Sequence, residues 1–228
     1  MTTSSATALS KIRTDRTRLE RLSAVDRVAQ LLRERIIQGH FAPGMRLPEQ
    51  EICTALGVSR NTLRESFRLL TRERIVEQHL NKGTFVRTIG PNDIADLYRA
   101  RHIIECAALR GLGHPPFRLD AVEDALRDSE QAARERDWAG RATADMCFHQ
   151  AIADLAKCRR ASELIRRVLA ELRLAVHAID APHHFIESQL TGDREILASL
   201  RSGNAKESER RLTAHLDHSL RQLLNAHG

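Results

Sequence analysis

The chain of 228 residues is long enough for one large domain or two modest ones, and 42% hydrophobic with 29% charged residues is the composition of a globular protein. Only 4% of residues are aromatic while Ala, Leu and Arg abound, which favours helix over sheet. No apolar run approaches the roughly 18 residues of a membrane span. The start, MTTSSATALSKIRTDRTRLERLS, lacks an apolar core of signal-peptide length, so a cytoplasmic location is expected. The net charge of +6 is unevenly spread. Residues 1–90 carry 16 Lys/Arg against 9 Asp/Glu, a net of +7, and residues 91–228 carry 20 against 21, a net of −1. The excess positive charge therefore sits where a polyanion would be met. Cys53, Cys106, Cys147 and Cys158 are scattered without a CxxC, as expected of reduced thiols that mostly fill core.

Residues 1–22 are rich in Ser, Thr and Arg, lack apolar periodicity and read as a flexible basic tail. From Ser23 to Gln38 the stripe Val25, Val28, Leu31, Leu32, Ile36 predicts a helix capped by Ser23 and ended by Gly39. In FAPGMRLPEQEI, Pro-Gly marks a turn and MRL a short strand. A short helix follows over Glu49–Leu56, closed by Gly57. Ser59 then caps a helix to about Glu73 with Leu63, Phe67 and Leu70 facing inward. IVEQHLNKGTFVR, two apolar runs around NKG, predicts a β-hairpin.

After GPND the pattern turns helical without interruption. The predicted spans are 92–112, 119–135, 138–157, 159–179, 184–202 and 204–226, with breakers GHPPF, APHH and SGN between them. The reading is mainly α: a winged helix-turn-helix with a small β-hairpin over 23–89, then an all-α helical bundle over 90–228.

LPEQEICTALGVSRNTLRESFRLL is a helix-turn-helix by mechanism. The glycine allows the tight turn, and the dipole-positive start of the second helix is left free to enter a major groove. Arg60 and Arg64 can reach guanine edges or phosphates, Asn61 can read adenine, and Ser59 and Thr62 suit phosphate. Lys82 and Gly83 sit at the hairpin tip, where backbone can approach a minor groove. The competing reading, a three-helix packing unit with solvated arginines, does not account for the ordered sequence of turn, cap, inward stripe, outward Arg/Asn and basic hairpin.

GVSRNT followed by LRESFRLL, with IIQGHFAPGMRLPE before and NKGTFV after, closely resembles the winged-helix domain of GntR-family transcriptional regulators over residues 24–88. The resemblance implies that Arg60, Asn61, Thr62 and Arg64 contact operator DNA and that Gly83 is the wing glycine. Gln50 stands where members often carry a DNA-touching arginine, which alters operator preference.

In TADMCFHQAI, Asp145 and His149 lie four positions apart on one helix face. Spacing alone leaves three readings open: a metal half-site, a local ion pair worth a few tenths of a kcal/mol, or two unrelated residues. DLYRARHIIECAAL, DMCFHQAI and LTAHLDH resemble the effector domain of the FadR subfamily, the FCD type. There an Asp and three His surround a divalent metal that a bound organic acid completes. Carried over, the resemblance implies Asp145, His149 and His215 as ligands; Arg101 reads either as a pocket residue on the carboxylate of an effector or as a surface or helix-pairing arginine. The remaining position, 22 residues before His215, holds Asp193 in place of a histidine. A carboxylate can still ligate Zn, Mn or Ni, but it adds negative charge, favours harder cations and is shorter, so a three-ligand or empty site is an open alternative. His183 and His184 are nearby substitutes.

Despite eleven histidines there is no HExxH, no CxxC pair and no Gly-rich phosphate loop, so an enzyme is not expected. The expectation is a homodimeric repressor on double-stranded palindromic operator DNA, released by a small carboxylic acid. Two alternatives stand: a DNA-binding dimer with a decayed effector domain, and a metal-dependent enzyme with a DNA-targeting module.

Overall fold

A computed structural model describes residues 24–179 and 182–227. The chain forms two compact units, one through Arg87 and one from Thr88; the sequence placed the boundary at Gly90-Pro91. Residues 1–22 and the Ser23 cap lie outside the described residues.

In the first unit α1 (24–37) buries Val25, Val28, Ala29, Leu32 and Ile36. Leu31, assigned to that stripe from sequence, is only half-buried. β1 (Arg46–Leu47) leads into α2 (Glu49–Leu56), which ends at Gly57 with φ +62°. That left-handed conformation is the one glycine adopts without a Cβ penalty. In α3 (Arg60–Arg72) the Ser59 Oγ accepts the Thr62 N–H at 3.1 Å, and Leu63, Phe67 and Leu70 are fully buried. Ser66 Oγ donates to the Val25 carbonyl at 2.9 Å, and Arg33 forks onto Glu73 at 2.6 and 2.7 Å. These two contacts tie α3 to α1, one from the middle of α3 and one from its C-terminal cap. β2 (Val76–His79) and β3 (Gly83–Val86) form the predicted hairpin, and β1 pairs with β3 antiparallel, giving sheet order β1-β3-β2.

The second unit is helical. α4 (Pro91–Arg101) passes through a π-helical turn, His102–Cys106, into α5 (Ala107–Arg110), where the sequence predicted one continuous helix. The wider turn arises where the inward pair Arg101 and Glu105 bond to each other, and such turns recur at functional sites. α6 (Asp120–Glu135), α7 (Trp138–Asp154), α8 (Arg159–His177), α9 (Pro182–Arg201) and α10 (Ala205–His227) complete the bundle. α6 packs on α7, α9 on α10, and α4 on both α8 and α10. Helix α7 is buried on much of its circumference: Ala142, Ala144, Phe148, Ile152 and Ala153 accompany Arg141 and His149 inside.

The cysteine expectation needs correction. All four are free thiols, but only Cys106 is buried; Cys53 is half-buried, and Cys147 and Cys158 are exposed. Cys147 falls on the outward side of α7 and Cys158 precedes the first turn of α8, where there is no core to fill.

Candidate functional sites: a recognition helix and a buried His/Asp cluster

On α3, Arg60, Arg64 and Arg68 recur every four residues and are exposed, on a stripe that flanks the buried Leu63, Phe67 and Leu70. Ser59 and Asn61 are exposed as well, and Thr62 is half-buried. The Ser59 and Thr62 hydroxyls lie 2.8 Å apart, with Ser59 also serving as the cap, so both are committed locally. Arg64 Nε donates to Glu49 Oε2 at 3.0 Å across the turn, next to exposed Gln50. At the wing Lys82 is exposed, and Gly83 has φ +105°. A Cβ on Gly83 would stand 3.2 Å from Arg46 Nε. Arg46 therefore lies over the wing, a basic residue the sequence reading missed. Strand alternation is the signal that could have found it: Leu47 is buried, so its β1 neighbour faces out.

In the helical unit the cluster is built from α4, α7, α9 and α10. Glu105 is fully buried; its Oε1 accepts Arg101 Nε at 2.7 Å and its Oε2 lies 2.6 Å from His149 Nδ1. Burial alone would raise the Glu105 carboxyl, but the Arg101 and His149 charges and hydrogen bonds hold it at about 2. An ionised Glu105 fixes the proton on Nδ1 of His149 and turns Nε2 into the free ligand atom, the arrangement that orients metal-binding histidines. The His149 and His215 rings stack with centroids 5.4 Å apart. His215 Nε2 is 3.6 Å from Asp193 Oδ1. Burial pushes His215 down to about 3 and pushes Asp193 up to about 7, where the Asp145 charge adds to the rise.

Ligand atoms of His149, Asp193 and His215 all lie within 4.8 Å of one another. Asp145, the fourth residue expected, is not part of that group. Its Oδ1 instead accepts Arg141 Nη1 at 3.3 Å, while Arg141 Nη2 donates to Asp193 Oδ2 at 3.2 Å. Burial opposes ionisation of Asp145, but the His149 and Arg141 charges outweigh it and hold the carboxyl below its usual value. Asp193 Oδ1 is buried with no hydrogen-bond partner among the described residues. An orphaned carboxylate oxygen beside two imidazoles is a donor set that a first-row divalent cation fits. His183 and His184 do not join it; their rings lie against each other, tilted by 38° with centroids 4.2 Å apart, and His183 adjoins Trp138.

Beside this cluster a narrow pocket is lined by Arg101, Asp145, His149 and Arg173 and walled by apolar side chains such as Leu169 and Ile186. Arg101 Nη2 is buried there without a hydrogen-bond partner among the described residues, and the Arg101 guanidinium carbon lies 5.1 Å from the centre of the Tyr98 ring. Arg173 is buried too, and desolvation lowers its guanidinium to about 10. Sequence reasoning missed Arg141, Arg173 and Glu105 as site residues. The run Arg141, Asp145, His149 at successive spacings of four is a signal that could have found Arg141.

A helix-turn-helix with a basic wing, followed in the chain by an all-helical unit, defines the class of DNA-binding transcriptional regulators. Comparison with known proteins gives the family. Residues 24–86 match the model of bacterial regulatory proteins of the gntR family, and residues 96–218 match the FCD domain. The chain belongs to the GntR family of transcriptional regulators, in its FCD, FadR-like subfamily. It is 41% identical to a chain described as a transcriptional regulator GntR from Rhodococcus sp. RHA1, with a TM-score of 0.86 over 90% of this chain and 99% of that one. It is 29% identical over 192 residues to an uncharacterized HTH-type transcriptional regulator of Streptomyces ambofaciens, covering 81% of this chain and 78% of the other. The galactonate operon transcriptional repressor of Escherichia coli K12 is 26% identical over 151 residues, covering 58% and 66%. These relatives are regulators, not enzymes.

Proposed function

We propose that this regulator acts as a homodimeric repressor that binds a palindromic operator and is released by a small carboxylic acid bound in the helical unit. In this reading Arg60, Asn61 and Arg64 enter the major groove, with Ser59, Thr62 and Gln50 beside them on backbone or base oxygens. Lys82, Gly83 and Arg46 bring the wing to the adjacent groove. The pair symmetry of a homodimer dictates the operator palindrome. Ile103 and Leu164, 73% and 54% exposed, are apolar side chains that a second copy would cover.

The observation that carries the effector reading is Arg101 Nη2, a buried donor without a hydrogen-bond partner among the described residues, in the pocket beside His149. A guanidinium in that state suits a carboxylate, and Arg173 adds a second positive charge to the same pocket. His149, Asp193 and His215 are the residues that would hold a divalent cation such as Zn, Mn or Ni, with Asp145 at its edge. Such a cation would supply a point charge for the effector's oxygens. Arg101 orients the carboxylate, Glu105 holds both Arg101 and His149 in place, and the apolar walls select the body of the ligand. The effector changes operator affinity only if it binds the free and DNA-bound states differently.

The test is fluorescence anisotropy on an operator selected from random DNA, with a panel of small carboxylates added in the presence and absence of Zn. The expected result is that at least one acid weakens wild-type binding tenfold or more. Arg101→Gln should keep operator affinity within about twofold while losing the response. Wild-type protein that holds its operator equally well under every acid would overturn the effector reading. It would favour instead a ligand-independent helical dimeriser, a second reading supported by Arg141, which bonds both Asp145 and Asp193.

A further inference from the structure

Arg141 is the largest fully buried side chain among the described residues. A guanidinium is among the least favourable groups to remove from water, and it stays ionised, so its burial requires carboxylates to receive it. It finds two of them, Asp145 Oδ1 at 3.3 Å and Asp193 Oδ2 at 3.2 Å, while its Nε has no partner among the described residues. The two bonds go to different helices, α7 and α9, and are long for charge-assisted pairs. They describe a cation shared between two anions rather than a fork locked onto one.

Asp193 Oδ1 is also the carboxylate oxygen 3.6 Å from His215 Nε2, while Glu105 Oε2 occupies Nδ1 of His149 at 2.6 Å. Around the cluster, Glu105, Asp145 and Asp193 face Arg101, Arg141 and Arg173, so three formal negative charges meet three positive ones before any ion enters. A divalent cation on Asp193 Oδ1 and the two imidazoles would share its carboxylate with Arg141 Nη2, and repulsion between the two cations is only weakly screened in a dry interior. We infer that Arg141 is a resident counter-cation that competes with a divalent metal ion for Asp145 and Asp193 and sets the metal affinity of the site low. This rests on the proposed assignment of His149, Asp193 and His215 as metal ligands. It gives the exchange of histidine for Asp193 a physical partner: the added negative charge is matched by a buried positive one, so the formal charges of these six residues balance without metal.

The experiment is a competition titration of chelator-stripped, full-length protein with Zn against a chromophoric chelator, with the visible absorption of the Co adduct reporting coordination. Arg141→Gln should bind Zn at least tenfold more tightly than wild type, whereas Arg141→Lys, which keeps the charge, should stay within about threefold of wild type. Arg141→Gln leaves two aspartates facing one another and can unfold the bundle. A second variant, Arg141→Gln combined with Asp193→His, removes one charge of each sign and should bind Zn at least tenfold more tightly than Asp193→His alone. If neither removal of Arg141 tightens binding relative to its parent, the counter-cation assignment is wrong while the metal site stands. If wild type and every variant fail to take up Zn or to colour with Co, both assignments fall together.

Discussion

Glu105 shows how one residue can organise a site without facing its ligand. Its two oxygens bind Arg101 and His149 at 2.7 and 2.6 Å, so one carboxylate fixes the guanidinium of the pocket and the tautomer of an imidazole. Its carboxyl is held at about 2 in the folded protein against an ordinary 4.5, so between those values the unfolded chain binds more protons. The resulting stability is fully present above pH 4.5 and is lost as pH falls toward 2. Asp193 and His215 act in opposite senses. Asp193, raised to about 7, contributes stability at low pH that is lost as pH rises through 7, and His215, lowered to about 3, contributes stability at neutral pH that is lost as pH falls through 3. Between the ordinary values of 3.8 and 6.5 these two offset each other. Urea unfolding of the metal-free protein from pH 2 to 7 should therefore show a flat region followed by an acid fall of about 2–3 kcal/mol. Glu105→Gln should reduce that fall to the part that His215 and Asp145 contribute; an unchanged acid limb would show that the carboxylate is not ionised in the folded state.

At the scale of elements, the site depends on how closely α9 and α10 approach. Gly192 is needed for space: a Cβ there would stand 2.1 Å from His215 Nδ1 and 2.9 Å from Cε1 of the same ring. The ring can face Asp193 only because its neighbour on α9 has no side chain. Gly192→Ala should force His215 out of line and cost about 1–3 kcal/mol as overpacking, despite the better helix propensity of alanine. Thermal unfolding and Zn titration read the two effects separately. A variant as stable as wild type, with unaltered Zn binding, would mean that α9 and α10 can part at no cost. The π-helical turn works in the same direction on α4, where the Arg101–Glu105 pair and buried Cys106 share one widened turn.

For the molecule as a whole, the uneven charge sets how it meets DNA. Positive charge concentrated in the first 90 residues, at a net of +7, makes binding depend on released counterions. Operator affinity should fall steeply and linearly on logarithmic axes as salt rises. Arg64 is 63% exposed, and an ion pair so open to water is worth at most about 1 kcal/mol, so its link to Glu49 yields readily to a phosphate or a guanine edge. Arg64→Ala should weaken operator binding at least tenfold; if only a phosphate contact is lost, the salt slope drops by about one. Retention of both affinity and sequence preference would remove α3 from the groove.

Much of this architecture was legible from sequence because it is local. A cap, a turn glycine and an inward stripe each act within a few residues, so Ser59, Gly57, Leu63 and Phe67 could be placed without tertiary information, as could the hairpin. The shared helix face of Asp145 and His149 was legible for the same reason. Partner choice was not. Arg141 meets Asp193 across 52 positions and His149 meets Glu105 across 44. Spacing along one helix could not say that Asp145 would turn to a guanidinium, or that Gly192 would make room for His215. Those outcomes are decided by which helices lie side by side, and by the cost of leaving any of these charges unpaired once they do.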